Sequence, residues 1–469
     1  MSSSFFRYGR AFLKAVRNIS FSGAAGIFIA VFIALSFHAP ARMFVLRSVL
    51  MLASAAPAAD ANGYTNILLL GVGDEDHDGA DLTDTMILAS IDPSDTRSAV
   101  MLSIPRDLLL EAGRIDGGGR VNALYANEKY KLMKTMAEEE ASAQALQSVM
   151  DEMSARLGVP VHGVIKADFT AFTMAVDALG GVDVEVPEHI IDYTYPISEG
   201  RPGTFEIDAG MQHLDGDTAL KYARSRHSTN DFSRSARQQQ LLKALGEKVR
   251  GMGRIKQMSA LSELYTSLDN HVETTMTTRQ LLGLAQIAAN VPFDRIVNMQ
   301  INFGSGNDGI EAGPGGFVYA PSLETYSGAS VLLPLALPGK DSDWSQISAF
   351  TRFLFSYREL YLDPSTVVLQ NAGAQPVHVH RLRNELLRYG WNVTGANTSI
   401  ITPSGKVDGS FIYFDDDHRD AAEALVRLLS FPSSDVDDEK SGSGDIVLIL
   451  GRNFRFTPFA LSSDAVSQQ

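Results

Sequence analysis

The chain contains no cysteine. Disulfides, thiolate-ligated metals and thiol nucleophiles are therefore excluded, and the absence is compatible with export. Positive charge is in deficit. Lys and Arg number 40 against 55 Asp and Glu, a formal net charge of −15. That balance argues against broad contact with a phosphate backbone, so nucleic acid is not an expected partner. There is no Walker phosphate loop and no H-E-x-x-H helix, so two common phosphate and zinc solutions are not used. No helix-turn-helix pattern and no internal repeat is present. What remains, with 45% hydrophobic and 20% charged residues, is the composition of a globular protein.

Long uncharged runs are scarce, and the clearest lies near the N-terminus. Arg7, Arg10, Lys14 and Arg17 precede SFSGAAGIFIAVFIALSF, uncharged from Ser20 to Phe37. As a helix this run spans roughly 27 Å at ~1.5 Å per residue, close to the ~30 Å hydrocarbon core. The basic flank favours a cytoplasmic N-terminus. A cleaved signal would need its cut among the small residues Ala53–Ala58, far beyond the apolar run, so an uncleaved anchor is the better expectation. A second apolar stretch, residues 43–59, contains Arg47 and a proline and is read as juxtamembrane. The resulting plan is a cytoplasmic segment 1–19, a transmembrane helix 20–37 and a juxtamembrane segment 38–61. The remainder is placed outside the membrane.

From Asn62 the pattern becomes α/β. TNILLLGV, TMILASID, SAVMLSIP and VHGVIKAD read as strands. Tyr130–Leu157 reads as a helix, as does FTAFTMAVDALGG, which stops on a Gly pair. VDVEV alternates as a strand, and an irregular segment runs to Asp208. ALKYARSR reads as a strand, and helices are expected over about Phe232–Arg250, Met258–Leu268 and Thr277–Ala289. Composition breaks near Pro338–Ser342. The domain plan is therefore 62–340, a connecting helix 341–362, a small α+β module 363–454 and a loose tail 455–469.

The stretch GVGDEDHDGADLTDTM begins like a calcium loop, with Asp74, Asp76, Asp78 and Gly79. The bidentate Glu such a loop needs at its twelfth position is Thr85 here, and no helix leads in. The carboxylates instead leave the end of a buried strand, where α/β proteins tend to hold ligands. Asp84 follows at the entry to the next strand, and its plain alternative is a turn or capping carboxylate. SIPRD adds Arg106 and Asp107 at another strand end. Four arginines crowd into ARSRHSTNDFSRSARQQQ: Arg224, Arg226, Arg234 and Arg237. On a strand Arg224 and Arg226 share a side, and on the following helix Arg234, Arg237 and Gln238 share a face. A solvated basic surface is the bland alternative. Clustered guanidiniums fit phosphate oxygens bidentately, and nearby carboxylates suit Mg²⁺, which takes one or two of them plus substrate oxygens. His378 and His380 have no convincing partner ligands and read as a strand edge or helix start.

The ordered series NILLLG, LTDTMILASIDP, SIPRDLLL, RVNALYA, FTAFTMAVDALGGVDVEV and MQHLDGDTALKYARSRHSTNDFSRSARQQ resembles the LytR-CpsA-Psr family of bacterial cell-wall ligases. The resemblance runs from about Asn62 to Arg250, with a less characteristic remainder to about Leu337. The module 363–454 is similar to the LytR C-terminal domain. The resemblance implies a mixed central sheet flanked by helices, an apolar lipid tunnel and an N-terminal anchor. It implies a phosphotransferase that moves a glycopolymer from a polyprenyl-pyrophosphate carrier onto peptidoglycan, with Mg²⁺ or Mn²⁺. By motif, Asp84 matches the metal-linked Asp and Arg106 the Arg of S-I-P-R-D. Arg224 and Arg226 match the R-x-R pair. Arg234 and Gln238 match R-x-x-R-Q, with Arg237 between them. One departure stands out: where the family has Asp two residues past the first strand's glycine, this chain has Gly73, so Asp74 or Glu75 would have to serve as metal ligand. Asp84 or Asp107 would accept the proton of the attacking hydroxyl. The rivals are a pyrophosphatase and a non-catalytic carrier-lipid-binding protein.

Overall fold

The computed structural model describes residues 55–74, 79–111, 119–198, 201–225, 231–251, 271–304, 313–394, 406–429, 431 and 445–462. The expected membrane run 20–37, Glu75, Asp76, Asp78, Arg226 and the helix expected over Met258–Leu268 lie outside them. Among the described residues no helix is long and apolar enough to cross a membrane.

The chain divides into two units, one taking residues 1–57 with Thr277–Gln286 and the other the rest. In the first, a helix begins at Thr278. Thr277 and Gln280 form a reciprocal cap: the Gln280 Oε1 accepts the Thr277 N–H at 2.9 Å, and the Thr277 hydroxyl accepts the Gln280 N–H at 3.4 Å. That exchange satisfies two donors the helix start leaves open.

The second unit is built on a six-stranded sheet. Strands β1 (Thr65–Gly71), β2 (Thr85–Ile91) and β3 (Ala99–Ser103) form an antiparallel meander. Helices α1 (Leu124–Leu132) and α2 (Glu138–Leu157) then cross over to β4 (Gly163–Ala167), parallel to β1. Here two helices replace the single one expected over Tyr130–Leu157. β5 (Val272–Thr274) and β6 (Ile296–Gln300) flank the sheet, giving the order β6-β3-β2-β1-β4-β5.

Helix α3 (Phe169–Ala178) leaves β4 and ends at Gly180 and Gly181, both at positive φ. A Cβ on Gly181 would lie 2.8 Å from the Leu214 carbonyl oxygen, so the stop needs glycine on two counts. Beyond it Val182–Val186 pairs with Gly210–Leu214. Between these strands, the segment read as irregular is a two-stranded hairpin, Ile190–Ser198 against Arg201–Ile207. Helices α4 (Gly216–Arg224) and α5 (Asp231–Gly251) follow. They correct the expected strand at ALKYARSR. Asp215 caps α4 by accepting the Thr218 N–H at 2.9 Å, and Ala219, Tyr222 and Ala223 recur with helical spacing on its buried side.

The C-terminal module has a four-stranded sheet, β8-β7-β10-β9, from β7 (Thr366–Asn371), β8 (Asn392–Thr394), β9 (Phe411–Phe414) and β10 (Ile446–Leu450). Helix α7 (Ser345–Ser356), reached after the helix α6 (Thr278–Ala288) of the other unit, is no loose connector. Its Phe350 ring packs tilted at 4.8 Å from Phe317 and edge-on at 5.5 Å from Tyr389, the residue that follows helix α8 (Pro376–Arg388). One continuous core joins both sheets across it. Arg358, 1% exposed, fastens the same junction: it donates to the Phe355 carbonyl and to the Ser90 carbonyl and hydroxyl, and lies 3.8 Å over the Tyr64 ring. The tail expected to be loose packs through residue 462, where Phe459 is fully buried against Tyr389 at 5.0 Å.

Candidate active site

Strand register brings Asp74, Asp84 and Arg106 to one end of the central sheet. Gly71, last in β1, is opposite Thr85, first in β2. A Cβ on Gly71 would lie 2.9 Å from the Thr85 Cβ, so only glycine allows the two strand ends to approach this closely. Asp74 and Asp84 therefore leave adjacent strands at the same end. The β2–β3 ladder continues past β3, with the Ile104 N–H donating to the Met86 carbonyl at 2.9 Å. Two residues on, Arg106 is level with Asp84. Its Nη1 bonds Asp84 Oδ1 at 3.0 Å.

Helix α5 lies over this end. Arg234 and Gln238, one turn apart, line the same small polar pocket as Asp84 and Arg106. Arg234 is 6% exposed, and its Nη2 donates to the Asp84 carbonyl at 3.4 Å. Gln238 and Thr85 also border a second space, an apolar cavity of about 270 Å³. Its walls are Leu69, Ile87 and Ile165 of the sheet, Phe172 of α3, Leu220 of α4 and Leu241 of α5, and its polar rim is Arg224, Asp168 and Gln238. Such a volume is near the lower end of the roughly 300–1,000 Å³ typical of ligand pockets.

Arg224 reaches that rim from a helix end. It is the last residue of α4, and the chain leaves it extended at Ser225. Its guanidinium lies 4.1 Å from the Phe169 ring centroid and 5.8 Å from that of Tyr195. Its expected partner Arg226 is outside the described residues. Arg237 does not share the face of Arg234 and Gln238. One residue is 100° of helix turn, and this step aims it at α4. Its Nε donates to the Tyr222 carbonyl at 2.9 Å, and its Nη2 to the Ser225 carbonyl. It thus caps carbonyls that the end of α4 leaves open.

The acidic loop is divided among tasks. Asp74 Oδ1 accepts the Thr170 N–H at 2.9 Å, capping α3 beside Asp168, which accepts the Ala171 N–H at 2.7 Å. Asp81 is neutralised by Lys129 at 3.2 Å. Asp107 bonds Arg120 at 3.0 Å and lies 3.7 Å from the Arg106 Nε, but it does not line either cavity. His378 and His380 lie near the start of α8, and the His378 Nδ1 receives the Phe456 N–H at 3.3 Å.

Two comparisons with protein families match. The description LytR_cpsA_psr family fits residues 48–318, more than half of the chain. The chain belongs to the LytR-CpsA-Psr family. Residues 365–454 of this LytR-CpsA-Psr protein match the LytR cell envelope-related transcriptional attenuator domain. Among curated relatives it is 28% identical over 259 residues to the polyisoprenyl-teichoic acid–peptidoglycan teichoic acid transferase TagV of Bacillus subtilis, covering 54% of this chain and 59% of that one. It is 30% identical over 222 residues to the similarly named TagU of Oceanobacillus iheyensis, covering 47% and 61%. The chain thus spans about three fifths of the length of these relatives. The crystal structure of B. subtilis TagV aligns with a TM-score of 0.44 at 24% identity, over 63% of this chain and 98% of that one.

The metal expected of this LytR-CpsA-Psr protein can be tested against its donors. No group of three His or carboxylate side chains gathers among the described residues, so no all-protein cage exists there. Asp84 offers a carboxylate 44% exposed at the pocket, whereas Asp74, on the neighbouring strand's exit, caps α3 and does not line the pocket. One or two carboxylates fit Mg²⁺ or Mn²⁺, provided that substrate oxygens and water complete the shell. Motif reading missed Asp168, Gln239 and Tyr195. Gln239, next to Gln238, is buried and donates to the Met101 and Met299 carbonyls and the Ser103 hydroxyl, at 3.2, 2.9 and 2.8 Å. It pins α5 across β3 and β6. The only signal for it was the QQQ run itself.

Proposed function

We propose that this chain is a membrane-anchored phosphotransferase that moves a glycopolymer from a polyprenyl-pyrophosphate carrier onto peptidoglycan through a phosphodiester bond. The anchor is the run 20–37. One adjacency carries the reading: a pocket holding Arg106, Arg234 and Asp84 shares Gln238 and Thr85 with an apolar cavity rimmed by Arg224. An anionic diphosphate head on an isoprenoid tail has that polarity. The names of the teichoic acid transferases it resembles support the same class.

In this mechanism a peptidoglycan hydroxyl attacks the glycan-proximal phosphorus, the new P–O bond forms, and the bond to polyprenyl phosphate breaks. Arg106, Arg224, Arg226 and Arg234 hold the diphosphate and take up charge on the leaving oxygens. Gln238 orients it. Asp84, and Asp74 with it, would hold Mg²⁺ or Mn²⁺, and a bound divalent ion would neutralise part of the diphosphate charge. For the hydroxyl proton Asp84 is preferred to Asp107, because Asp84 lines the pocket and Asp107 does not.

The test uses the full chain in detergent with lipid-linked glycan, with and without peptidoglycan. Arg106→Ala or Arg234→Ala should cost on the order of 10²–10³ in transfer rate. Lys at either position should rescue only in part, since it lacks the guanidinium fork. Full transfer by the Ala variants overturns the mechanism. Glycan phosphate released equally without acceptor would instead make the protein a pyrophosphatase.

A further inference from the structure

Arg224 has a neighbour that no motif assigns. Among the buried side chains of the hairpin Ile190–Ser198/Arg201–Ile207 are Asp192 and Tyr195, each 4% exposed. Three residues apart on a regular strand, they would point to opposite faces. They do not, because the ladder register shifts between them. A bulge of this kind re-aims a side chain and is common beside active sites. Tyr193, between them, is 69% exposed.

Both inward side chains meet the end of α4. The Ser225 hydroxyl donates to Asp192 Oδ2 at 3.1 Å. The other Asp192 oxygen is fixed locally by the Thr194 N–H at 3.0 Å. The Arg224 guanidinium lies 5.8 Å from the Tyr195 ring centroid and within hydrogen-bonding reach of the Tyr195 hydroxyl, with Phe169 on closer approach at 4.1 Å. A guanidinium held by aromatic side chains and a neutral hydroxyl keeps its full positive charge for an anion. A carboxylate in the same place would compete with phosphate.

We propose that Asp192 and Tyr195 are positioning residues: the bulged hairpin sets the angle at which Arg224 meets the diphosphate. The proposal rests on the diphosphate reading of the site given above. It gives the hairpin a role in the reaction, with Tyr195 acting on Arg224 and Asp192 on the residue after it.

A double-mutant cycle tests this without relying on turnover. The full chain in detergent is titrated with geranylgeranyl diphosphate, as wild type, Tyr195→Ala, Arg224→Ala and the double variant. Tyr195→Ala should weaken binding about tenfold, in the range of a desolvated cation–π contact. It should cost almost nothing further once Arg224 is Ala. Tyr195→Phe, which keeps the ring but removes the hydroxyl that meets Arg224, should keep the wild-type Tm and fall between wild type and Tyr195→Ala in affinity. Asp192→Asn should weaken binding in the Arg224 background only. If Tyr195→Ala costs the same with and without Arg224, the positioning role is overturned while the diphosphate site stands. If Arg224→Ala alone leaves the affinity unchanged, the diphosphate reading fails and the positioning role fails with it.

Discussion

Gln238, Gln239 and Gln240 are three identical letters with three destinations. Gln238 lines the polar pocket and the apolar cavity, and Gln239 bonds strand carbonyls. Gln240 accepts from the Tyr222 hydroxyl at 2.8 Å and donates to the Glu185 carbonyl. Each step of 100° turns the side chain to another neighbour, and the sequence cannot name neighbours that folding brings in from elsewhere. Asp92, by contrast, finds its partners within its own turn. In the turn DPSDTRS, burial works against its ionisation, but the N–H groups of Ser94, Thr96 and Asp95 and the Thr96 hydroxyl outweigh that and hold its pKa below the ordinary 3.8. A folded-state pKa lowered in this way adds stability that is present above the ordinary value and is lost as pH falls through the folded one. Asp92→Asn should therefore cost roughly 1.5–3 kcal/mol at neutral pH, the worth of hydrogen bonds to a charged group. Urea unfolding should show the gap from wild type narrowing as pH drops below 3.8. A gap independent of pH would mean the charge contributes nothing.

At the scale of elements, the buried strands β1, β2, β3 and β4 were plain because each is a short apolar run between turn residues. The failures have physical causes. ALKYARSR is short, and placing Arg224 and Arg226 on one side favours a strand, yet Asp215 caps it from upstream and α5 buries its apolar side. The hairpin was hidden by Pro196 and Pro202, which read against strand. They are opposite each other in a two-stranded sheet, where edges tolerate a missing donor. Arg237 binds α4 to α5, and that link sets where Arg224 emerges. Arg237→Met keeps much of the bulk but leaves the Tyr222 and Ser225 carbonyls without this donor. Stability should fall by about 1–3 kcal/mol, and transfer should fall further than the loss of folded protein explains. Calorimetry and initial rates on the same preparation check both. A loss confined to stability would leave Arg237 as scaffolding alone.

At the scale of the molecule, the composition break near Pro338–Ser342 is visible in the sequence, but it does not mark a boundary in the packing. Phe317 before the break, Phe350 within α7, and Tyr389 and Phe459 beyond it belong to one core. The sequence could not reveal this, since each of those aromatics would also suit the core of its own module. Phe459→Ala should cost about 3–5 kcal/mol. It should lower the unfolding temperature of the central sheet and the C-terminal sheet together, in a single transition. Two separated transitions, with only the later residues affected, would contradict a shared core. Helix α7 thus leaves no slack between the modules. Anything that comes to rest on the C-terminal sheet pulls on the same solid piece as the strand ends bearing Asp84 and Arg106, and a blade drawn through residue 340 would leave two raw, greasy halves.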